Sequence, residues 1–181
     1  MDAVKREEPY TIDDIYALPD GEHAELIDGK IYFMSTPSVV HQRISRMLHM
    51  AISEYIRDNN GTCEAFAAPF AVFLNKDKIN YFEPDISVIC DLTKLDKKGC
   101  NGAPDWVIEI VSPSSRSMDY FTKANKYRDG GVREYWIVDH DDKLITVYEF
   151  EDEMTISHFK FGEEIPVGIY KGFSIKLPDN L

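Results

Sequence analysis

Trp106-Val107-Ile108-Glu109-Ile110-Val111 and Glu134-Tyr135-Trp136-Ile137-Val138-Asp139 bracket a segment of helical length that closes at Gly130-Gly131. Both flanks are β-branched and aromatic, the composition of strands. Paired glycines after a helical run are a C-cap signal. Strand, helix, strand is a crossover unit, so the two strands should be parallel. Parallel strands are covered on both faces, which buries the one acid in the first run, Glu109. A buried carboxylate without partners costs several kcal/mol, so Glu109 needs a cation or hydrogen bonds.

Outward from this unit the chain reads as short elements. Thr11-Ile12-Asp13-Asp14 caps a short helix that ends near Leu18. Asp28-Gly29 is a two-residue hairpin signal between the runs His23 to Ile27 and Lys30 to Met34. Ile44, Leu48, Ala51, Ile52, Tyr55 and Ile56 recur at helical spacing, which predicts a helix from Val39 to about Asp58 with one face on a core. Cys63 to Leu74 reads as extended and broken at Pro69, and a strand starts near Pro84-Asp85. After Val138 the turn Asp139 to Asp142 is too short for a crossover, so Lys143 to Phe150 should pair antiparallel. Met154 to Phe161, Ile165 to Tyr170 and Phe173 to Leu177 read as further strands. The fold class is α/β with a mixed sheet.

Composition sets bounds. A chain of 181 residues suits one domain, expected over residues 11–181, with residues 1–10 as a mobile charged tail. No apolar run approaches the ~20 residues of a membrane span. Three cysteines without CxxC spacing argue against a disulfide framework or zinc knuckle, and for a reducing cytoplasm. The formal charge of −12 argues against a broad basic nucleic-acid surface.

Four polar positions stand out. Asp85 opens a strand after Pro84, and Glu109 lies in the next one. Lys123 sits in the crossover helix between Tyr120 and Tyr127, on a face where an ammonium needs a task. Glu25 reads first as a surface acid on the hairpin. His41, in the first turn of its helix, reads first as a structural histidine. Two carboxylates on adjacent strands suit Mg²⁺ or Mn²⁺, with a lysine to stabilise charge developing on a phosphate.

Pro84-Asp85, then Val107-Ile108-Glu109-Ile110-Val111-Ser112-Pro113-Ser114-Ser115, Lys123, Tyr127, Gly131-Val132 and Glu134 to Asp139 form one string. It resembles an uncharacterised bacterial branch of the PD-(D/E)XK nuclease superfamily, the restriction endonuclease-like family. Glu25-Leu26-Ile27-Asp28-Gly29 and His41 also match that branch. The resemblance implies a central mixed sheet flanked by helices, with an extra N-terminal hairpin and C-terminal strands. It implies a metal-dependent endonuclease acting on DNA. Asp85, Glu109 and Lys123 would be the catalytic residues, and Asp85, Glu109 and the main-chain carbonyl of Ile110 would hold Mg²⁺ or Mn²⁺. Glu25 and His41 would support them. One position departs from the superfamily: two residues after the acid stands Val111, not lysine, and Lys123 is the matching lysine. Lys126 is its neighbour near the same face.

Two other readings compete. One is a non-catalytic module of the same fold, for binding or assembly, which the acidic charge favours. The other is a metal-dependent phosphohydrolase on a small substrate. A nuclease with this charge should carry a local basic rim, chiefly Arg116, Lys126 and Lys94 to Lys98. A homodimer is the default expectation for cutting both strands.

Overall fold

The structure is a computed structural model and describes residues 8–112, 115–151 and 153–181. Residues 1–7 of the expected tail, and Pro113 and Ser114 of the quoted string, lie outside the described residues. Tyr10 joins the fold, its N–H donating to the Gly29 carbonyl at 2.9 Å. Helix α1 (Ile12–Tyr16) starts at Thr11, and the hairpin strands β1 (Ala24–Ile27) and β2 (Lys30–Phe33) follow. Their turn has positive φ at both Asp28 (49°) and Gly29 (72°), the two-residue geometry that Asp-Gly favours. Helix α2 (Val39–Asp58) matches its predicted span, and Ile44, Leu48, Ile52 and Ile56 are its buried stripe.

Strands β3 (Glu64–Ala67), β4 (Val72–Phe73), β5 (Ile86–Ile89), β6 (Cys100–Asn101) and β7 (Trp106–Val111) come next. A π-helical turn (Met118–Lys123) runs into helix α3 (Ala124–Gly130). Then come β8 (Glu134–Asp139), β9 (Leu144–Glu149), β10 (Thr155–Lys160), β11 (Ile165–Pro166) and β12 (Ser174–Ile175). The central sheet has six strands in the order β10-β9-β8-β7-β5-β3. Within this sheet only β7 and β8 pair in parallel, across the crossover; its other neighbours are antiparallel. Every residue of β7 and β8 is buried, as two-sided coverage requires. Trp106, Ile108, Ile110, Trp136 and Val138 face the α2 stripe, while Val107, Val111, Tyr135 and Ile137 pack with α3 residues Ala124 and Tyr127.

Two expectations are corrected. The last two strands shrink to two residues each. Pro166 cannot donate to a ladder, and residues 167–173 turn back on themselves through Val167 and Tyr170. Cys63 and Cys90 form a disulfide, although no disulfide was expected. Glu64 pairs with Ile89, so one step further the register sets Cys63 against Cys90. That pairing comes from the sheet, and a separation of 27 residues carries no motif. With two of the three cysteines bridged, free thiols no longer point to a reducing compartment. Cys100 is the one free thiol, and it is buried. Among the described residues no helix is long and apolar enough to cross a membrane.

Candidate active site

Side chains alternate along β7, so Glu109 shares a face with Val107 and Val111 and points toward α3. It is 5% exposed. Its Oε1 accepts from Lys123 Nζ at 2.9 Å and from the Tyr127 hydroxyl at 2.8 Å. The ammonium also meets Glu25 Oε2 at 2.7 Å and Asp119 Oδ1 at 3.4 Å. Glu25, Glu109, Asp119 and Lys123 are all buried. Three carboxylates thus surround one lysine.

The electrostatics follow from that ratio. Burial raises the Glu109 pKa most; Lys123 pulls it down, while Asp119, Glu25 and Asp85 push it up, and it ends well above the usual carboxylate range. Burial lowers the pKa of Lys123, but Glu109, Glu25 and Asp119 more than offset this, so its charge is held well above the ordinary lysine range. Asp119 is also raised, mainly by burial.

Asp85 is placed by sheet register. Ile86 pairs with Ile108, so Asp85 falls opposite Glu109. Its Oδ2 accepts the Ile110 N–H at 2.7 Å, and its carbonyl accepts the Ala68 N–H at 2.9 Å. His41 Nε2 lies 3.1 Å from both of its carboxylate oxygens. Ser38 sets that contact, because its Oγ caps α2 by accepting the His41 N–H at 3.1 Å. Burial lowers the His41 pKa, but the hydrogen bond and charge of Asp85 and the Ile110 backbone outweigh it, and the net shift is upward. His41 Nδ1 is buried without a partner among the described residues.

All five sequence-predicted side chains therefore converge, in two linked groups. Asp85 and His41 form one, and Glu109, Lys123 and Glu25 the other. Glu25 corrects the reading of a surface acid: it is 4% exposed and its Oε1 accepts the Glu83 N–H at 3.0 Å. Sequence reasoning missed Asp119 and the hydroxyl role of Tyr127. Asp119 lies four residues before Lys123, a spacing that could have flagged it. The π-helical turn was not legible, and the Tyr120 hydroxyl lies 3.4 Å from Thr146 Oγ1.

Two members of the expected basic rim, Arg116 and Lys126, are engaged by acids. Arg116 meets Asp139 at 2.7 Å and Asp142 at 3.1 Å, and Lys126 pairs with Asp28. Lys94 donates to the Ala103 carbonyl at 2.8 Å.

A hard divalent cation is tested by donor chemistry. Asp85, Glu109 and the Ile110 carbonyl offer oxygen alone, the set Mg²⁺ and Mn²⁺ take. Among the described residues no three His, Cys, Asp or Glu side chains are arranged to hold a metal ion. The donors fit an ion that keeps several waters, with the main chain supplying the third protein oxygen.

The model of the Uma2 family, described as "Putative restriction endonuclease", matches residues 12–178. The chain belongs to the Uma2 family. It is 26% identical over 167 residues to an uncharacterized protein of Synechocystis, slr1290, covering 84% of this chain and 86% of that one. A crystal structure from Anabaena variabilis, described as "a putative nuclease belonging to DUF820", superimposes with a TM-score of 0.70. That match covers 89% of this chain and 90% of the other, at 24% identity, and it shows a shared fold. The Uma2 match spans the hairpin with Glu25 as well as the central sheet, so the buried lysine cluster lies wholly inside the family's extent.

Proposed function

We propose that this Uma2 protein is a Mg²⁺- or Mn²⁺-dependent endonuclease that hydrolyses phosphodiester bonds of DNA. The observation that carries the reading is the register that sets Asp85 opposite Glu109, with Lys123 bound to Glu109. Asp85, Glu109 and the Ile110 carbonyl would hold the ion. When bound there, such an ion supplies Lewis acidity toward the phosphoryl oxygens.

The chain's own residues prepare that place. The Ile110 N–H and His41 fix the Asp85 carboxylate. Lys123 and Tyr127 both bind Glu109 Oε1, which leaves Oε2 to meet a ligand. Lys123 holds a fixed positive charge beside Glu109, where it favours negative charge developing on the phosphoryl group. Water would attack phosphorus in line with the leaving 3′-oxygen. Two copies would be needed to cut both strands, so the proposed working form is a homodimer.

A second reading is a binding or assembly module. It is favoured by the engagement of Lys123 with three carboxylates and of Arg116 and Lys126 with acids. Calorimetric titration with Mn²⁺ separates the requirement for metal from catalysis. Wild type should bind, and Asp85→Asn should lose the binding heat. Equal binding by both proteins would contradict the assignment of Asp85. Metal binding by a wild type that leaves plasmid DNA intact would favour the module.

A further inference from the structure

We propose that the outer edge of β10 is the dimer interface, pairing antiparallel with β10 of a second copy about a two-fold axis at Ser157. The homodimer belongs to the nuclease reading; the surface and register stand on the sheet alone.

The Phe161 N–H donates to the Lys143 carbonyl, so Phe161 and Lys143 form a hydrogen-bonded pair with β9. Main-chain direction alternates along a strand, so Thr155, Ser157 and Phe159 bond inward to β9. Ile156, His158 and Lys160 therefore direct their N–H and C=O groups outward. Lys160 is already closed: its N–H donates to Glu163 Oε2 at 2.7 Å, and its carbonyl accepts the Glu163 N–H at 3.1 Å. Among the described residues no partner meets the outward groups of Ile156 and His158.

The opposite edge of the sheet is protected. There the Ala65 carbonyl of β3 faces His49 Nε2 of α2 at 3.0 Å. Among the described residues nothing comparable covers β10, and Met154 and Ile156 stand 50% and 48% exposed. Natural edges are blunted by proline, bulges or inward charges, and this one has none between Thr155 and Phe159.

A second copy of the same strand fits this edge, and the free groups fix its register. A two-fold axis normal to the sheet keeps each residue on its own face. With Ser157 on the axis, Ile156 of one copy lies opposite His158 of the other. Each pair exchanges two main-chain hydrogen bonds, four in all. Centring on His158 would need the Lys160 groups that Glu163 has taken. The pairing is thus self-complementary in main-chain hydrogen bonding. The two six-stranded sheets become one continuous sheet.

Sedimentation velocity on the full chain over a concentration series tests the interface without any cleavage. Wild type should show a monomer–dimer equilibrium. Ile156→Pro removes an outward N–H and spares the ladder to β9, so it should weaken the dimer about tenfold or more. Should that variant fail to fold, Ser157→Cys gives an independent test. Its thiols would face each other across the axis in a non-hydrogen-bonded pair, and mild oxidation should yield a dimer linked 157 to 157 by peptide mapping. A wild type that stays monomeric, a dimer indifferent to Ile156→Pro, or a Ser157→Cys protein that does not cross-link would overturn the interface. The last two results would leave the nuclease reading untouched, and a wild type that dimerises through β10 without cutting DNA would contradict only that reading.

Discussion

Lys123 has three ammonium hydrogens and three carboxylate neighbours, so its removal would leave Glu25, Glu109 and Asp119 buried together without a cation. Breaking a buried ion pair from one side costs about 3–5 kcal/mol. Lys123→Met should lose stability on that scale in urea denaturation; an unchanged midpoint would refute the counter-ion role. Cys100 offers a pH test. Burial pushes its thiol from 9.0 up to about 11. Between those values the unfolded chain releases the proton while the folded one keeps it, so this group's contribution to stability is present below the unfolded value and falls as pH rises through the window. At pH 8 the native thiol should resist alkylation and react once urea unfolds the protein; rapid labelling of the native protein would contradict its placement. Glu109 was legible because an acid inside an apolar strand demands an explanation, and Asp85 because it stands after Pro84 at the mouth of the neighbouring strand. Glu25 was not, since an acid beside an Asp-Gly hairpin is ordinarily solvated. Its partner lies 98 residues away in the chain, as a count from Glu25 to Lys123 gives, and only the folded hairpin brings them together.

The crossover unit was the most legible element, because strand composition, helical length and the double glycine agree with one another. Gly131 closes α3 at φ 93°, a left-handed conformation that L residues adopt at a cost of roughly 1–2 kcal/mol. A Cβ there would meet nothing nearer than 4.0 Å, so the strain is conformational and not steric crowding. Gly131→Ala should lower stability by about that amount, measured by chemical denaturation, and no loss would mean that the cap can relax. The π-helical turn before α3 was hidden. A one-residue shift in hydrogen bonding leaves no composition signature. The Cys63–Cys90 bridge was hidden for a similar reason: β3–β5 register sets it, and register is invisible until the strands are paired.

At the scale of the molecule, sheet order puts the site where neighbouring strands bring two acids together, and the −12 chain engages much of its expected basic rim internally. The string from Trp106 to Asp139 carried both the fold class and the family, because burial on two faces constrains composition strongly. Substrate and metal do not leave such a constraint in composition, so they rest on chemistry that must be measured. The direct measurement is conversion of supercoiled plasmid to nicked circles in Mg²⁺, with wild type and Glu109→Gln side by side. The account predicts nicking by wild type that EDTA abolishes, and a drop in rate of about 10²-fold or more for Glu109→Gln, the scale of losing one electrostatic contact to the transition state. Cleavage that persists in EDTA, or a Glu109→Gln protein that nicks as fast as wild type, would contradict it.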